Sequence, residues 1–441
     1  MADRAQLVLN NTIPATDKDL LEAGAAFMGG SMSLDRRFEI AEILCRSALA
    51  LNNENDGAMA NLATLCLQKK QYEEARGFAA RAVALNPDKW GPWVILGQIY
   101  GRLGKFLEAR MCVSRSTELD PNQFSTWFTL AGLWEIEGNA QEAEVCYQKS
   151  LVLKPDDPEV KYCWGMVKML RGDYAYGLPL YECRWQRFTT AYPITRPMDL
   201  LAGRDINGEI VIEAEQGHGD LFMMARYAKT LKSKGHCRTI TLHCADSVAD
   251  LMKRFTDIDL VVSYSKPWTP RPQATISALS FPYFMMLLGE SIWQPPAKID
   301  TSGLTTMSFG ARGPVVSFCR AGNPLHPNDR FRSISEADFE PLLIKISKNG
   351  WRFDLSAGSW EDSIRHMLAS DLVITVDTAA AHLSGSLGKR TWLLVSSVPD
   401  WRWGSSTETT AWYPSIRIFR QEKPLEWKPV IDRVVKELGD L

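Results

Sequence analysis

The chain has 441 residues, with 50 lysines and arginines against 52 aspartates and glutamates and a formal net charge of -2. That length exceeds one compact domain and points to two or three units, each with its own core. The near-neutral balance gives no bulk attraction to nucleic acid or to an anionic membrane.

The opening stretch, MADRAQLVLNNTIPATDKDL, lacks the basic and apolar regions of a secretion signal, and no segment approaches the ~18 continuous apolar residues of a membrane span. A cytoplasmic, non-spanning protein is expected. Nine cysteines are scattered without a C-x-x-C pair, which predicts reduced thiols and no metal site.

A repeat comes next. ALNP ends at Pro87, ELDP at Pro121 and VLKP at Pro155, each step 34 residues long, and ALNN ends one step earlier at Asn53. Trp93, Leu96, Gly97, Tyr100, Ala109 and Pro121 fall at tetratricopeptide offsets, as do Trp127, Leu130, Ala131, Trp134, Ala143, Tyr147 and Pro155. Small residues such as Gly97 and Ala109 let paired helices approach, large ones fill the space between hairpins, and proline ends each second helix. Weaker units flank these, around Ala41 and along KYCWGMVKMLRGDYAYGLPLYECRW. The tryptophans read as packing residues, as do Cys45, Cys66, Cys112 and Cys146. Such an array offers a concave groove to an extended peptide or a partner protein.

Beyond the proline-punctuated TTAYPITRPMDLLAGRD the pattern becomes strands alternating with helices, the mark of parallel α/β sheets. GEIVIEAE reads as a strand, QGHGD as a turn, LFMMARYAKTLKSKG as a helix, and RTITLHC and DLVVSY as strands. A second series runs from strand GPVVSFCRAG through helix EADFEPLLIKISKNG, strands RFDLSAG, DLVITVD and TWLLVSS, to a helix near KPVIDRVVKEL. All six histidines lie in this half, and ligands of such sheets bind beyond the carboxyl ends of the strands.

Three strand-to-helix turns carry the chemistry. In EAEQGHGD, Gly217 and Gly219 permit a sharp turn and close approach, with Gln216 and His218 beside them and Asp220 at a helix start, where it is also a good N-cap. CRAGNPLHPNDRFRSIS is a long connection carrying Asn323, Arg330 and Arg332, and a guanidinium fork matches phosphate oxygens. A solvated loop is the alternative. In DLVITVDTAAAHLSGSLGK, a buried strand runs into Asp377 and Thr378, then alanines and His382; the unpaired amides and positive dipole of a helix start suit a pyrophosphate. The alternative is capping by Asp377 and burial of His382.

These motifs, with VPDWRWG, WYPSIRIFRQ and the joint GLPLYECRWQRF, resemble in their order those of bacterial tetratricopeptide-containing glycosyltransferases whose catalytic half is similar to the heptosyltransferases. The resemblance spans nearly the whole chain and is more specific for fold than for sugar. It implies a tetratricopeptide solenoid over 1–190 and a GT-B pair of Rossmann-like halves, 191–305 on the acceptor side and 306–441 on the nucleotide-sugar side. It also implies inverting transfer from a nucleotide sugar, without an obligatory metal or other cofactor. Asp220 matches the family's catalytic carboxylate. Asp377, Thr378 and His382 match its diphosphate-binding turn, and Arg330 and Arg332 its basic donor loop.

Two departures stand out. The family commonly has a small aliphatic residue in place of His218, and TIQF where this chain has LFMM, so the base is either Asp220 or His218. A helix dipole is expected to lower the Asp220 pKa and weaken it as a base. Trp401 and Trp403 are candidates to stack on a base or sugar, with packing as the alternative. The expected function is sugar transfer to a protein recruited by the solenoid groove. Transfer to a saccharide or lipid-linked acceptor, and a non-catalytic scaffold, are the alternatives.

Overall fold

The computed structural model describes residues 34–186, 208–215, 217–268, 275–304, 313–326, 328–356 and 358–439. The chain divides into two compact units after Val160. The expected boundaries at 190/191 and 305/306, like Gln216, lie outside the described residues.

The first unit is a helical-hairpin array: α1 Leu34–Leu51, α2 Asp56–Gln68, α3 Tyr72–Leu85, α4 Trp90–Arg102, α5 Phe106–Leu119, α6 Phe124–Ile136 and α7 Ala140–Leu153. Gly97 shows why the period demands small residues. A Cβ there would lie 2.4 Å from Val113 Cγ2 and 2.9 Å from the Ala109 carbonyl, so α4 and α5 touch backbone to side chain. The indole N–H groups of Trp93 and Trp127 donate to the carbonyls of Pro87 and Pro121, each at 2.8 Å. Each ties the proline that ends one hairpin to the first helix of the next, a structural duty. Cys45, Cys66, Cys112 and Cys146 are buried between helices, and burial pushes their thiols up to about 11.

The division after Val160 falls within α8 (Pro158–Leu170), which is followed by α9 (Tyr174–Tyr181) and a 3-10 turn, Glu182–Gln186. In the second unit Gly165 and Gly177 face each other so closely that a Cβ on either would come within 2.9 Å of the other's carbonyl oxygen. The helix-pairing rule of the repeats therefore extends to this weaker pair.

Among the described residues, four strands form the first sheet, β1 Glu209–Glu213, β2 Thr239–Cys244, β3 Leu260–Ser263 and β4 Thr275–Ser277, all parallel in the order β3-β2-β1-β4. Its helices are α10 His218–Met224, α11 Tyr227–Ser233, α12 Asp246–Met252 and α13 Phe281–Leu287. The single helix expected over LFMMARYAKTLKSKG is thus two, broken at Ala225–Arg226. Buried Arg226 sits at the break and donates from Nε to the Met223 carbonyl and from Nη1 to the Trp412 and Gln294 carbonyls.

The second sheet holds β5 Val315–Cys319, β6 Trp351–Asp354, β7 Leu372–Val376, β8 Thr391–Val395 and β9 Ile416–Arg420, parallel in the order β6-β5-β7-β8-β9. With it run α14 Asp329–Arg332, α15 Glu336–Asn349, α16 Trp360–Ala369, α17 Ala379–Ser386 and α18 Lys428–Leu438. Strands β5, β7 and β8 are buried along their whole length, which is why they read as unbroken apolar runs. One core draws Leu221, Phe222 and Met223 of α10 together with Ala381 and Leu383 of α17 and Trp401 and Trp412 beyond β8. The strand order reverses between β1 and β4 in the first sheet and between β5 and β7 in the second. Crevices at such reversals are where open parallel sheets take ligands.

Candidate functional site

The turn after β1 leads into α10, the turn after β7 into α17, and the two helix starts are packed together. A Cβ on Gly219 would lie 2.6 Å from His382 Cδ2 and 3.1 Å from the Ala379 Cα, so only glycine fits between them. Gly217, by contrast, has φ -90 and ψ 160, extended backbone open to other residues. Neither glycine has positive φ, so the expected sharp turn is not what requires them. Close helix approach is what requires Gly219.

Asp220 sits in the first turn of α10. Its Oδ2 accepts from the Gly217 backbone N–H at 3.0 Å, and its Oδ1 from Arg402 Nη2 at 2.5 Å, across 182 residues of chain. Burial raises its pKa, against the opposing charge of Arg402 and with some help from Asp400. This corrects the expectation from the helix dipole: desolvation outweighs it, and the carboxylate holds its proton more tightly than an exposed aspartate. His218, next to it, points to Ser247, with Nε2 and the hydroxyl 3.2 Å apart, and burial lowers its pKa.

At the other helix start, Thr378 is the N-cap of α17 but makes no side-chain capping bond. Its hydroxyl faces Thr375 Oγ1 at 3.3 Å and Cys319 Sγ at 3.8 Å. The first amides of α17 are thereby left without a side-chain cap. Asp377 is half-buried and pushed up to about 6, by burial first and then by the like charge of Asp400. His382 lies behind this turn: it is 5% exposed, its Nδ1 is 3.1 Å from the Tyr413 hydroxyl, and burial carries its pKa well below the usual value. It is a neutral packing residue that shapes the turn from behind.

The loop after β5 joins this turn through Arg332. Its Nη1 donates to the Asp377 carbonyl at 3.2 Å and its Nε to Asp329 Oδ1 at 3.2 Å. Arg330 lies exposed on α14 with its guanidinium over the Phe331 ring. Asn323 is exposed and its side chain accepts from the Leu325 N–H at 3.0 Å, so it shapes the loop. Trp401 and Trp403 are 3% and 1% exposed, packed against Trp412 and against His382 respectively. Stacking on a ligand is overturned for both, since their faces are taken.

Two groups went unread in the sequence. Arg402, 6% exposed, bonds Asp400 Oδ1 at 2.6 Å as well as Asp220. Arg184, fully buried in the 3-10 turn, bonds Glu215 at 2.8 Å, Glu182 at 2.6 Å and Ser280 at 2.7 Å, while Ser277 donates to Glu215. Each lies in a quoted motif, but as an interior charge whose partner is far along the chain. The only cue was that a buried arginine must find a carboxylate.

Models of the tetratricopeptide repeat match residues 35–93 and 92–123. The N-terminal region carries tetratricopeptide repeats. Among solved structures, the thermophilic TPR protein TTC0263 of Thermus thermophilus is similar at 19% identity over 39% of this chain and 91% of that one, with a TM-score of 0.35. YrrB, a TPR protein with an unusual peptide-binding site, is similar at 16% identity over 42% and 91%, with a TM-score of 0.31. No curated protein matches the chain. Among the described residues no helix is long and apolar enough to cross a membrane, and no cluster of three His, Cys, Asp or Glu side chains can hold a metal ion.

The α/β unit thus brings together a carboxylate of raised proton affinity, a helix start with uncapped amides, and arginines from two loops. That set can accept a proton at Asp220 and meet negative charge at α17 and Arg332.

Proposed function

We propose that the α/β unit is a GT-B glycosyltransferase half that moves a sugar from a nucleotide sugar to an acceptor hydroxyl, and that the repeats recruit a protein acceptor to it. Asp220 takes the acceptor O–H proton, the freed oxygen attacks the anomeric carbon from the face opposite the diphosphate, and the carbon–oxygen bond to the diphosphate breaks with inversion. The departing charge is met by the α17 amides, Arg332 and Arg330. The observation that supports the reading is the packing of the Asp220 helix start, with its carboxylate of raised proton affinity, against the start of α17, which has no side-chain cap.

The test is a panel of nucleotide sugars scored by thermal shift and by donor hydrolysis. One sugar nucleotide is expected to shift the full chain. Asp220→Asn is then expected to lose about two to four orders of magnitude in turnover with donor affinity retained. A silent Asp220→Asn beside a dead His218→Ala would move the base to His218. One observation favours a second reading, a binding module without turnover: both Asp220 oxygens already accept hydrogen bonds. A panel with binding and no hydrolysis or transfer would favour it.

A further inference from the structure

The short turn after β8 carries a buried charge, Arg402. Trp401, Arg402 and Trp403 form a 3-10 turn capped by Asp400, and its two tryptophans are sunk in the core. The Asp400 carboxylate accepts from the Arg402 backbone N–H at 3.0 Å as well as from its Nη1 at 2.6 Å. The Arg402 carbonyl accepts from the Thr410 hydroxyl at 3.2 Å. Both ends of the arginine are therefore held before it reaches Asp220.

We propose that Arg402 is the positioning residue of this site, anchored to Asp400 in its own half and reaching across to fix the Asp220 carboxylate in one orientation. The inference rests on the reading of Asp220 as the base. The geometry carries it. With Oδ2 on the Gly217 amide and Oδ1 on Arg402, the carboxylate is held from two elements and cannot turn without breaking a charge-assisted bond. The free lone pairs of those oxygens keep a set direction, which a base needs before an acceptor arrives.

The groups facing Asp220 give the link a signature. Arg402 favours the ionised form, while Asp400 from the same turn and Glu215 from the end of β1 oppose it. His382, packed behind from α17, is neutral, and His218 on the same helix is turned to Ser247. Removing Arg402 and removing Asp400 should therefore move the Asp220 titration in opposite directions. Loosened packing alone would not do that.

The experiment is a carbon-13 titration of the full chain carrying carboxyl-labelled aspartate, with Asp220→Asn used to assign the signal. Arg402→Met is expected to raise the Asp220 midpoint by about one pH unit, a tenfold change in proton affinity. Arg402→Lys should return most of that shift, and Asp400→Asn should lower the midpoint below wild type. An unmoved midpoint in folded Arg402→Met, or shifts of one sign in both variants, overturns the proposal. Should Arg402→Met not fold, Arg402→Gln decides in its place: a rise of the midpoint supports the link, and no change or a fall overturns it. Because the readout needs no turnover, an inactive enzyme with the expected shifts would sink the base reading and leave the Arg402 link standing.

Discussion

The two sheets treat the reversal of their strand order in opposite ways. In the first, the crevice between β1 and β4 is filled: Glu215 at the end of β1 and Ser277 at the end of β4 close around Arg184, with Glu182 and Ser280 completing the set. In the second, the crevice between β5 and β7 is lined by the loop to Arg332 and by the start of α17, whose amides have no side-chain cap. A parallel fold makes two equivalent places for a ligand; this chain fills one with a buried charge set and leaves a helix start without a side-chain cap at the other. Similar polar residues are thus buried counter-charges in one crevice and, under the proposed function, recognition groups in the other; burial separates the two cases.

The largest expected effect tests the filled crevice. Arg184→Met leaves Glu215 and Glu182 without their buried counter-charge, and breaking a buried ion pair from one side costs about 3–5 kcal/mol. Urea denaturation of the full chain should show the loss in the α/β transition, with nucleotide affinity unchanged at low denaturant. A loss below about 1 kcal/mol, the range of an exposed pair, would erase the contrast between the crevices. Next in size is Gly219→Ala, which drives a methyl into His382 and the Ala379 backbone where α10 and α17 meet. Overpacking of this kind costs about 1–3 kcal/mol. Thermal melts should place Gly219→Ala well below Gly217→Ala, whose new Cβ meets nothing nearer than Asp220 Oδ2 at 3.6 Å.

Much of this was legible in the sequence because it is periodic or apolar. The repeat of 34 fixed the positions of helix pairs, and the runs VVSFC and LVITV read as buried strands since both faces of a parallel sheet are covered. Strand β4 escaped because three residues, Thr275–Ser277, are too short for a period. Strand β9 carries arginines at Arg417 and Arg420, which mask its alternation. At the site the turns were legible and the side-chain directions were not. His382 read as a ligand contact with core burial as the alternative, and Trp403 as either, and only three-dimensional packing turned them inward. Arg402 was invisible as a partner of Asp220 because a pairing across 182 residues leaves no local trace.

If Arg332 serves recognition, Arg332→Met should weaken nucleoside diphosphate binding by about tenfold, or roughly 1.4 kcal/mol. Its cost in stability should stay near 1 kcal/mol, because its hydrogen bonds go to a backbone carbonyl and to a partly exposed carboxylate, Asp329. Calorimetric titration together with a melt measures both. Large destabilisation with unchanged affinity would make the crevice between β5 and β7 structural as well.

The smallest effect concerns Asp377, whose pKa of about 6 stands above the ordinary 3.8. A carboxylate raised on folding binds its proton more tightly in the folded chain, so its contribution to stability is complete below the unfolded value of 3.8 and is lost as pH rises through about 6. Asparagine has no charge to lose. Asp377→Asn is therefore expected to match wild type near pH 4 and to exceed it by about 1 kcal/mol at pH 8, the discount from the full shift reflecting partial exposure. The same charge opposes an arriving diphosphate, so wild-type affinity should fall between pH 6 and pH 8 while that of Asp377→Asn stays level over the same range. Melts at the two extremes and titrations across the interval separate the two consequences. Equal pH dependence in both proteins would mean that Asp377 stays ionised throughout, and that the turn's preference for anions owes nothing to its proton.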